Sequence, residues 1–374
     1  GPDFAGPDFA GPDPADRLRI GYVAADVRRH PVGYMLEAAL RHADRAAFDI
    51  AIYAGNLRDD VLTERLRGLC GTWRACAGWS DERLARTIRE DRIDILVDLS
   101  GHAGGNRLPV FARKPAPIQV SWLDYFNTTG LPEMDYALFD PVSVPNGRER
   151  WFTEQVVRLP DGRFCYTPPD YAPDPAPPPV LNVGSVTFGS FNSLQKLNEP
   201  TIALWSRALR AVPGAKLLLK TAALVDLEAQ MALRLAFRRH GVGGDRLILR
   251  GRSDHPAMLA EYGDIDVALD PLGYNGGITS CEALWMGVPT LTLPGARPVA
   301  RQTLSFLTAL GLTEDLVAED EDDFVAKAAA LAADPGRLAR LRAGLRGRMA
   351  ASPLCDGRRF AGRLEIGRAS CRER

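Results

Sequence analysis

The turn Asn275-Gly276-Gly277-Ile278-Thr279-Ser280 combines two glycines, two hydroxyls and the start of an apolar helical run. That combination suits an anionic ligand. Gly276 and Gly277 let backbone N–H groups approach a ligand closely, and the positive end of a helix starting there favours a diphosphate. Glu282, one turn further on, is a paired acceptor for two adjacent ribose hydroxyls. The plain alternative is a turn followed by a helix that Thr279 merely caps. A second cluster, Phe191-Asn192-Ser193-Leu194-Gln195-Lys196, follows the first strand of the same half. An ammonium at Lys196 offsets the charge that grows on a departing diphosphate. Arg301, in Pro294-Gly-Ala-Arg-Pro-Val-Ala-Arg301, is a second cation near a strand end. For both cations the alternative is a solvated surface side chain.

These residues need elements to hold them, and the apolar patterning supplies those elements in alternation. Strands are predicted at 18–23, 48–53, 93–99 and 118–123, with helices at 32–43 and 81–90. Residues 167–179 then carry seven prolines and read as a stiff linker without regular structure. The alternation restarts after it, with strands at 186–191, 215–220, 246–250, 267–269 and 290–293 between helices at 201–211, 225–240, 256–263 and 279–286. The class is α/β, with two Rossmann-like doubly wound lobes. The division reads as a Pro/Gly-rich disordered tail over 1–16, an acceptor-side lobe over 17–166, a linker over 167–184 and a donor-side lobe over 185–363. Residues 364–374 lose apolar periodicity and resemble the translation of a sequencing adapter, so they are expected to be a non-native tail. Ligands in such folds sit at the carboxyl ends of the strands, which places the expected site in a cleft between the lobes.

Composition narrows the function classes. A length of 374 residues suits two domains. The net charge of −1 gives no reason to expect nucleic acid as a partner. No run approaches the roughly 20 apolar residues of a membrane span, and no secretory leader is readable. Cysteines at 70, 76, 165, 281, 355 and 371 lack paired spacing, which points to reduced thiols in a cytoplasm. Neither CxxC nor HxxxH occurs, so no metal site is expected.

Several motifs in order resemble the catalytic region of the O-GlcNAc transferase family, and most of all its SPINDLY branch. They are Arg19-Ile-Gly-Tyr-Val23 with His30-Pro31, Ile95-Leu-Val-Asp-Leu-Ser-Gly-His-Ala103, and Arg113-Lys-Pro-Ala-Pro-Ile-Gln-Val-Ser-Trp122. Asn127-Thr-Thr-Gly-Leu-Pro132, Arg158-Leu-Pro160, Gly189-Ser-Phe-Asn192, the stretch from Asn275 to Pro289 and Ser352-Pro-Leu-Cys355 continue the series. The direct run from Arg158 into the proline tract leaves no room for the large inserted domain of the animal enzymes, which favours the SPINDLY-like branch.

The resemblance implies a GT-B fold and an inverting, metal-independent transfer to Ser or Thr hydroxyls of proteins, without a cofactor. UDP-GlcNAc is the implied donor, with GDP-fucose as the alternative that SPINDLY likeness allows. By similarity, Lys196 contacts the diphosphate, beside Asn192 on the same strand-end segment. Gly277, Ile278 and Thr279 cover the phosphates, flanked by Asn275, Gly276, Ser280 and Arg301, while Glu282 binds ribose and His255 lies near the nucleobase. His30 is the implied active-site histidine, and Asn127, Thr128 and Thr129 lie near the sugar or the acceptor hydroxyl. His102 is either part of that sugar side or a structural cap of its glycine loop. Asp98 and Asp270 read as strand-end carboxylates that hold loops, and Trp122 and Trp285 as core. Departures from the family pattern fall at Asp124 and Phe126, where glycine and proline are usual, and at Ile278, which removes one hydroxyl from the phosphate cradle. Two other readings compete: a GT-B transferase acting on a glycan or lipid, and a catalytically weak nucleotide-binding module. Tandem tetratricopeptide repeats, which recruit protein acceptors in the family, have no counterpart before Arg17.

Overall fold

The computed structural model describes residues 17–372, with side chains through Glu365. The GPDFA tract and most of the expected C-terminal tail therefore lie outside the described side chains. The chain divides into two units, 1–167 with 356–374, and 168–355.

The first unit is built on a parallel seven-stranded sheet. Its strands are β1 (Leu18–Ala24), β2 (Phe48–Ala54), β3 (Thr72–Ala75), β4 (Ile95–Asp98), β5 (Ile118–Ser121), β6 (Tyr136–Phe139) and β7 (Gln155–Arg158), in the order β3-β2-β1-β4-β5-β6-β7. Strands β1 and β4 are buried along most of their length, with Ile20 opposite Ile95 and Tyr22 opposite Val97, as in parallel sheets covered on both faces. The chain winds outward from β1 to β3, returns to β4 and winds the other way. The gap between β1 and β4 is thus a topological switch point, where loops leave their carboxyl ends in opposite directions and open a crevice.

The second unit repeats this plan. Its strands are β8 (Thr187–Ser190), β9 (Lys216–Lys220), β10 (Leu247–Arg250), β11 (Val267–Leu269) and β12 (Thr290–Leu291), ordered β10-β9-β8-β11-β12 and all parallel. Its switch point lies between β8 and β11, where Phe188 faces Val267.

Two boundaries differ from those expected. The proline-rich segment belongs to the second unit, where the helix Pro335–Ala350 clamps it. Arg346 Nη2 donates to the Pro173 carbonyl at 2.6 Å, and buried Arg342 donates to the Ala176, Ile265 and Tyr262 carbonyls. Seven prolines exclude a ladder but leave carbonyls as acceptors, and two arginines take them. The segment 356–363, expected in the second lobe, belongs instead to the first unit. There Phe360 stacks on Trp122 at 6.2 Å, and Arg359 grips Asp161 at 2.7 and 2.5 Å. The helix Gly357–Arg372 also runs through the expected non-native tail: Leu364 is buried, and Glu365 accepts from the Asp44 N–H at 2.9 Å.

Candidate functional site

At the second switch point, β8 ends in Ser190 and delivers Asn192 and Lys196, while β11 ends before Asp270 and delivers the glycine turn. Segments about eighty positions apart in sequence meet on one atom. Asn192 Oδ1 accepts from Lys196 Nζ at 3.2 Å and from Thr279 Oγ1 at 3.0 Å. Lys196 Nζ also donates to the Asn275 carbonyl at 2.8 Å and sits 4.3 Å from the centroid of the exposed Tyr274 ring. Burial lowers the Lys196 pKa to about 8, against the pull of Asp270. The solvated-lysine alternative fails on this enclosure.

Asp270 holds the turn from below. Its Oδ1 accepts from Gly276 N at 2.7 Å and its Oδ2 from Thr292 Oγ1 at 2.7 Å, while burial pushes its pKa up to about 6. Gly276 is required by contact: a Cβ there would lie 2.2 Å from Ser280 Oγ and 2.9 Å from Thr279 Oγ1. The helix Ile278–Trp285 begins at Gly277, and no side chain caps it. The reading of Thr279 as its N-cap is therefore overturned: Thr279 is the second helical residue, and its hydroxyl turns to Asn192. The first N–H groups of such a helix have no helical carbonyl to bond, so they and the dipole favour an anion. Ile278 is the first helical residue and half-buried. Ser280 Oγ pairs with Thr303 Oγ1 at 3.0 Å, and Gln302 Nε2 lies 3.2 Å from the Val299 carbonyl and 3.5 Å from that of Asn275. Gln302 and Thr303 are thus clamps of the turn, with no motif of their own in the sequence. Arg301 is half-buried and donates to the Gly295 carbonyl at 3.3 Å.

Glu282 and His255 are brought together, His255 Nε2 lying 2.8 Å from Glu282 Oε1. Burial raises the Glu282 pKa, and His255 pulls it back. Beneath them Tyr262 stacks on Phe191 at 4.1 Å and donates its hydroxyl to the Thr279 carbonyl at 3.0 Å. Trp285 is half-buried against the same core under the Arg346 guanidinium, 4.9 Å from its ring.

The first unit furnishes its own switch point differently. His30 caps the helix Pro31–Arg41, its Nδ1 accepting from Val32 N at 3.4 Å, with Pro31 preset for the first helical position. Asp98 is buried, accepts from Ser100 N at 3.1 Å and Gly101 N at 2.8 Å, and is pushed up to about 6 by that burial. Ser100 Oγ in turn accepts from Ala25 N at 3.1 Å, tying the two switch-point loops together. His102 is exposed, and its Nε2 lies 2.8 Å from the Thr129 carbonyl, which makes that nitrogen the donor. Thr129 Oγ1 and N donate to buried Glu154, and so does Thr128 Oγ1 at 2.7 Å, while Asn127 is exposed and accepts from Thr128 N at 3.0 Å. Both threonine hydroxyls are therefore committed to Glu154, a carboxylate that no motif would single out.

The loop after Trp122, where the family pattern is broken, is held by an arginine. Leu123 is buried with φ of 95°, a strained region for a non-glycine residue at about 1–3 kcal/mol. Arg163 is buried, donates to the Tyr125 carbonyl at 3.0 Å and lies 4.3 Å from the centroid of Phe126, while Trp122 Nε1 donates to the Arg163 carbonyl at 2.7 Å. Asp124 has its pKa raised by burial, against the opposing pull of His30 and Arg163.

Two parallel doubly wound sheets with furnished switch points define the GT-B class of glycosyltransferases, and solved structures agree on the fold. The lipopolysaccharide outer core galactosyltransferase WaaB matches with a TM-score of 0.60 at 12% identity, over 93% of this chain and 99% of that one. A mutant O-GlcNAc transferase of Thermobaculum terrenum matches with a TM-score of 0.91 at 42% identity, over 97% of this chain and 70% of that one. The sequence matches glycosyl transferase family 41 over residues 8–167 and 180–364. The chain belongs to that family. It is 38% identical over 94% of its length to a probable UDP-N-acetylglucosamine–peptide N-acetylglucosaminyltransferase SPINDLY of Solanum lycopersicum, and 37% identical over 94% to that of Arabidopsis thaliana. It spans 38% and 39% of those relatives' lengths. Among the described residues no helix is long and apolar enough to cross a membrane.

Proposed function

We propose that this chain transfers N-acetylglucosamine from UDP-GlcNAc to Ser or Thr hydroxyls of proteins, with inversion and without a metal. The supporting observation is the meeting of Lys196 Nζ and Thr279 Oγ1 on Asn192 Oδ1 at an uncapped helix N-terminus. In this reading the diphosphate lies over Gly277, Ile278 and Thr279, and Lys196 gives up its protein acceptors to neutralise it. Ribose meets Glu282, the nucleobase lies toward His255, and Arg301 adds positive charge at the rim. The acceptor oxygen bonds to the anomeric carbon as the carbon–phosphate oxygen bond breaks. The nucleoside diphosphate leaves with the electron pair, and the hydroxyl proton passes to His30 as general base. His102 and residues 127–129 are assigned to sugar and acceptor through the loops they hold. Lysine, hydroxyl and helix carry the diphosphate charge. The names of the curated relatives favour UDP-GlcNAc over GDP-fucose.

The test is a donor panel of UDP-GlcNAc and GDP-fucose with protein acceptors, run alongside Lys196→Ala. Transfer from UDP-GlcNAc that collapses in the variant supports the proposal. Calorimetric titration showing that neither UDP nor GDP binds would sink it.

A further inference from the structure

The proline-rich segment does more than connect the two units. Tyr171, within it, presents its hydroxyl to His255 Nδ1 at 2.7 Å, with the rings edge-on at 5.7 Å. His255 Nε2 in turn lies 2.8 Å from Glu282 Oε1. We propose that Tyr171 is a positioning residue for the nucleoside end of the donor site, fixing the ring and tautomer of His255 so that Glu282 is held aligned. The inference rests on the donor site proposed above and extends it to a segment outside the glycine turn.

The chemistry follows from the order of donors and acceptors. A carboxylate accepts only, so His255 Nε2 carries the proton toward Glu282. In the neutral ring Nδ1 is then an acceptor, and the phenol is the donor that satisfies it. Glu282 is 4% exposed, and it is His255 that offsets the effect of its burial. The other tautomer would present a lone pair to that carboxylate and remove the hydrogen bond that holds it.

Packing does not explain Tyr171, which is 41% exposed. Its backbone, by contrast, is fixed. Ala172 packs against the core of Phe191 and Tyr262, Pro173 and Ala176 are gripped through their carbonyls by Arg346 and Arg342, and a Cβ on Gly287 would lie 3.1 Å from Pro175. A rigid strap therefore carries an exposed phenol to one nitrogen.

The experiment compares wild type, Tyr171→Phe and Lys196→Ala by titration with UDP, GDP and inorganic pyrophosphate, with 15N spectra of the histidine rings. Tyr171→Phe is expected to weaken the bound nucleoside diphosphate on the order of tenfold, the scale of one lost hydrogen bond to a functional pair. Pyrophosphate affinity and the unfolding temperature stay at wild-type values, and the His255 spectrum changes from one tautomer to a mixture. Lys196→Ala weakens both ligands. Unchanged nucleotide affinity, equal weakening of both ligands, or an unchanged His255 spectrum in Tyr171→Phe overturns the role of Tyr171 while leaving the donor site standing. Wild-type protein that binds no nucleotide removes the donor site itself.

Discussion

The two switch points share a scaffold and differ in what they hold. After β4 and after β11 the chain does the same thing: a buried aspartate, Asp98 or Asp270, takes backbone N–H groups of a glycine-bearing turn, and burial pushes both carboxyls up to about 6. Beyond that the turns diverge. The second leads directly into the eight-residue helix Ile278–Trp285, whose uncapped end faces a half-buried lysine. The first leads to His102, committed to the Thr129 carbonyl, and then only to the four-residue helix Leu108–Phe111. A strand-end aspartate thus marks where a loop must be held. The element that comes after the turn decides whether free helical N–H groups stand at the loop's end.

The largest expected effect sets these two turns against each other. Lys196→Ala should lower transfer by about 10²–10³, the scale of losing a preorganised charge on a leaving group. His102→Ala should leave transfer within several-fold of wild type, because that ring holds a loop through one carbonyl. Steady-state rates on one acceptor decide it, and equal losses in the two variants would erase the distinction.

The next effect bears on the shared scaffold. Gly276→Ala places a methyl 2.2 Å from Ser280 Oγ, which Thr303 holds in place; Gly101→Ala places one 2.1 Å from Tyr125 Cβ at a φ of 52°. Each should lose roughly 1–3 kcal/mol of stability, with Gly101→Ala the greater because backbone and contact both oppose it. Denaturant unfolding measures the order, and a reversal would mean that the second turn is the more rigid.

Much of this scaffold was readable in advance. The β1, β2, β4, β5 and β8–β12 strands follow from buried apolar runs, and the switch-point loops follow from aspartate and glycine at their ends. Strands β3 and β7 escaped because Thr72–Ala75 and Gln155–Arg158 are only partly buried and form no continuous apolar run, and β6 was missed although Tyr136–Phe139 is a buried apolar run. The partners that complete the sites escaped for another reason. Glu154 meets Thr128 across 26 positions, Arg163 meets Tyr125 across 38 and Tyr171 meets His255 across 84. No local pattern encodes such a pairing; it exists only once the chain is packed. Lys196 and Thr279 are as distant, yet each stood at a strand end or a helix start, where position itself carries information.

A smaller effect separates the two turns by titration. Burial brings Lys196 down to about 8, so its ammonium is lost as pH rises through that value. Nucleoside diphosphate affinity should fall above pH 8 on the order of tenfold, the worth of one charge-assisted bond, and Lys196→Met should bind weakly with no such edge. Calorimetry from pH 7 to 9.5 checks it. An edge that survives in the methionine variant would assign it elsewhere.

The smallest effect concerns the aspartates themselves, and its sign is opposite to that of an ion-paired carboxylate. Both folded pKa values lie near 6, above the ordinary aspartate value of 3.8. Between those limits the folded state binds more protons than the unfolded one, so stability falls as pH rises through about 4 to 6. The ionised forms persist at neutral pH because backbone N–H groups and, for Asp270, Thr292 offset part of the burial. Asp98→Asn and Asp270→Asn should each flatten that slope, by at most about 1.4 kcal/mol for each tenfold change in proton affinity. The two should then part company at the ligand. Asp98→Asn leaves nucleotide affinity unchanged, whereas Asp270→Asn removes the charge that favours protonated Lys196 and moves its alkaline edge to lower pH. Unfolding curves from pH 4 to 8, paired with titrations of the same two variants, test both halves. Coincident binding edges would show that Asp270, like Asp98, only holds its loop.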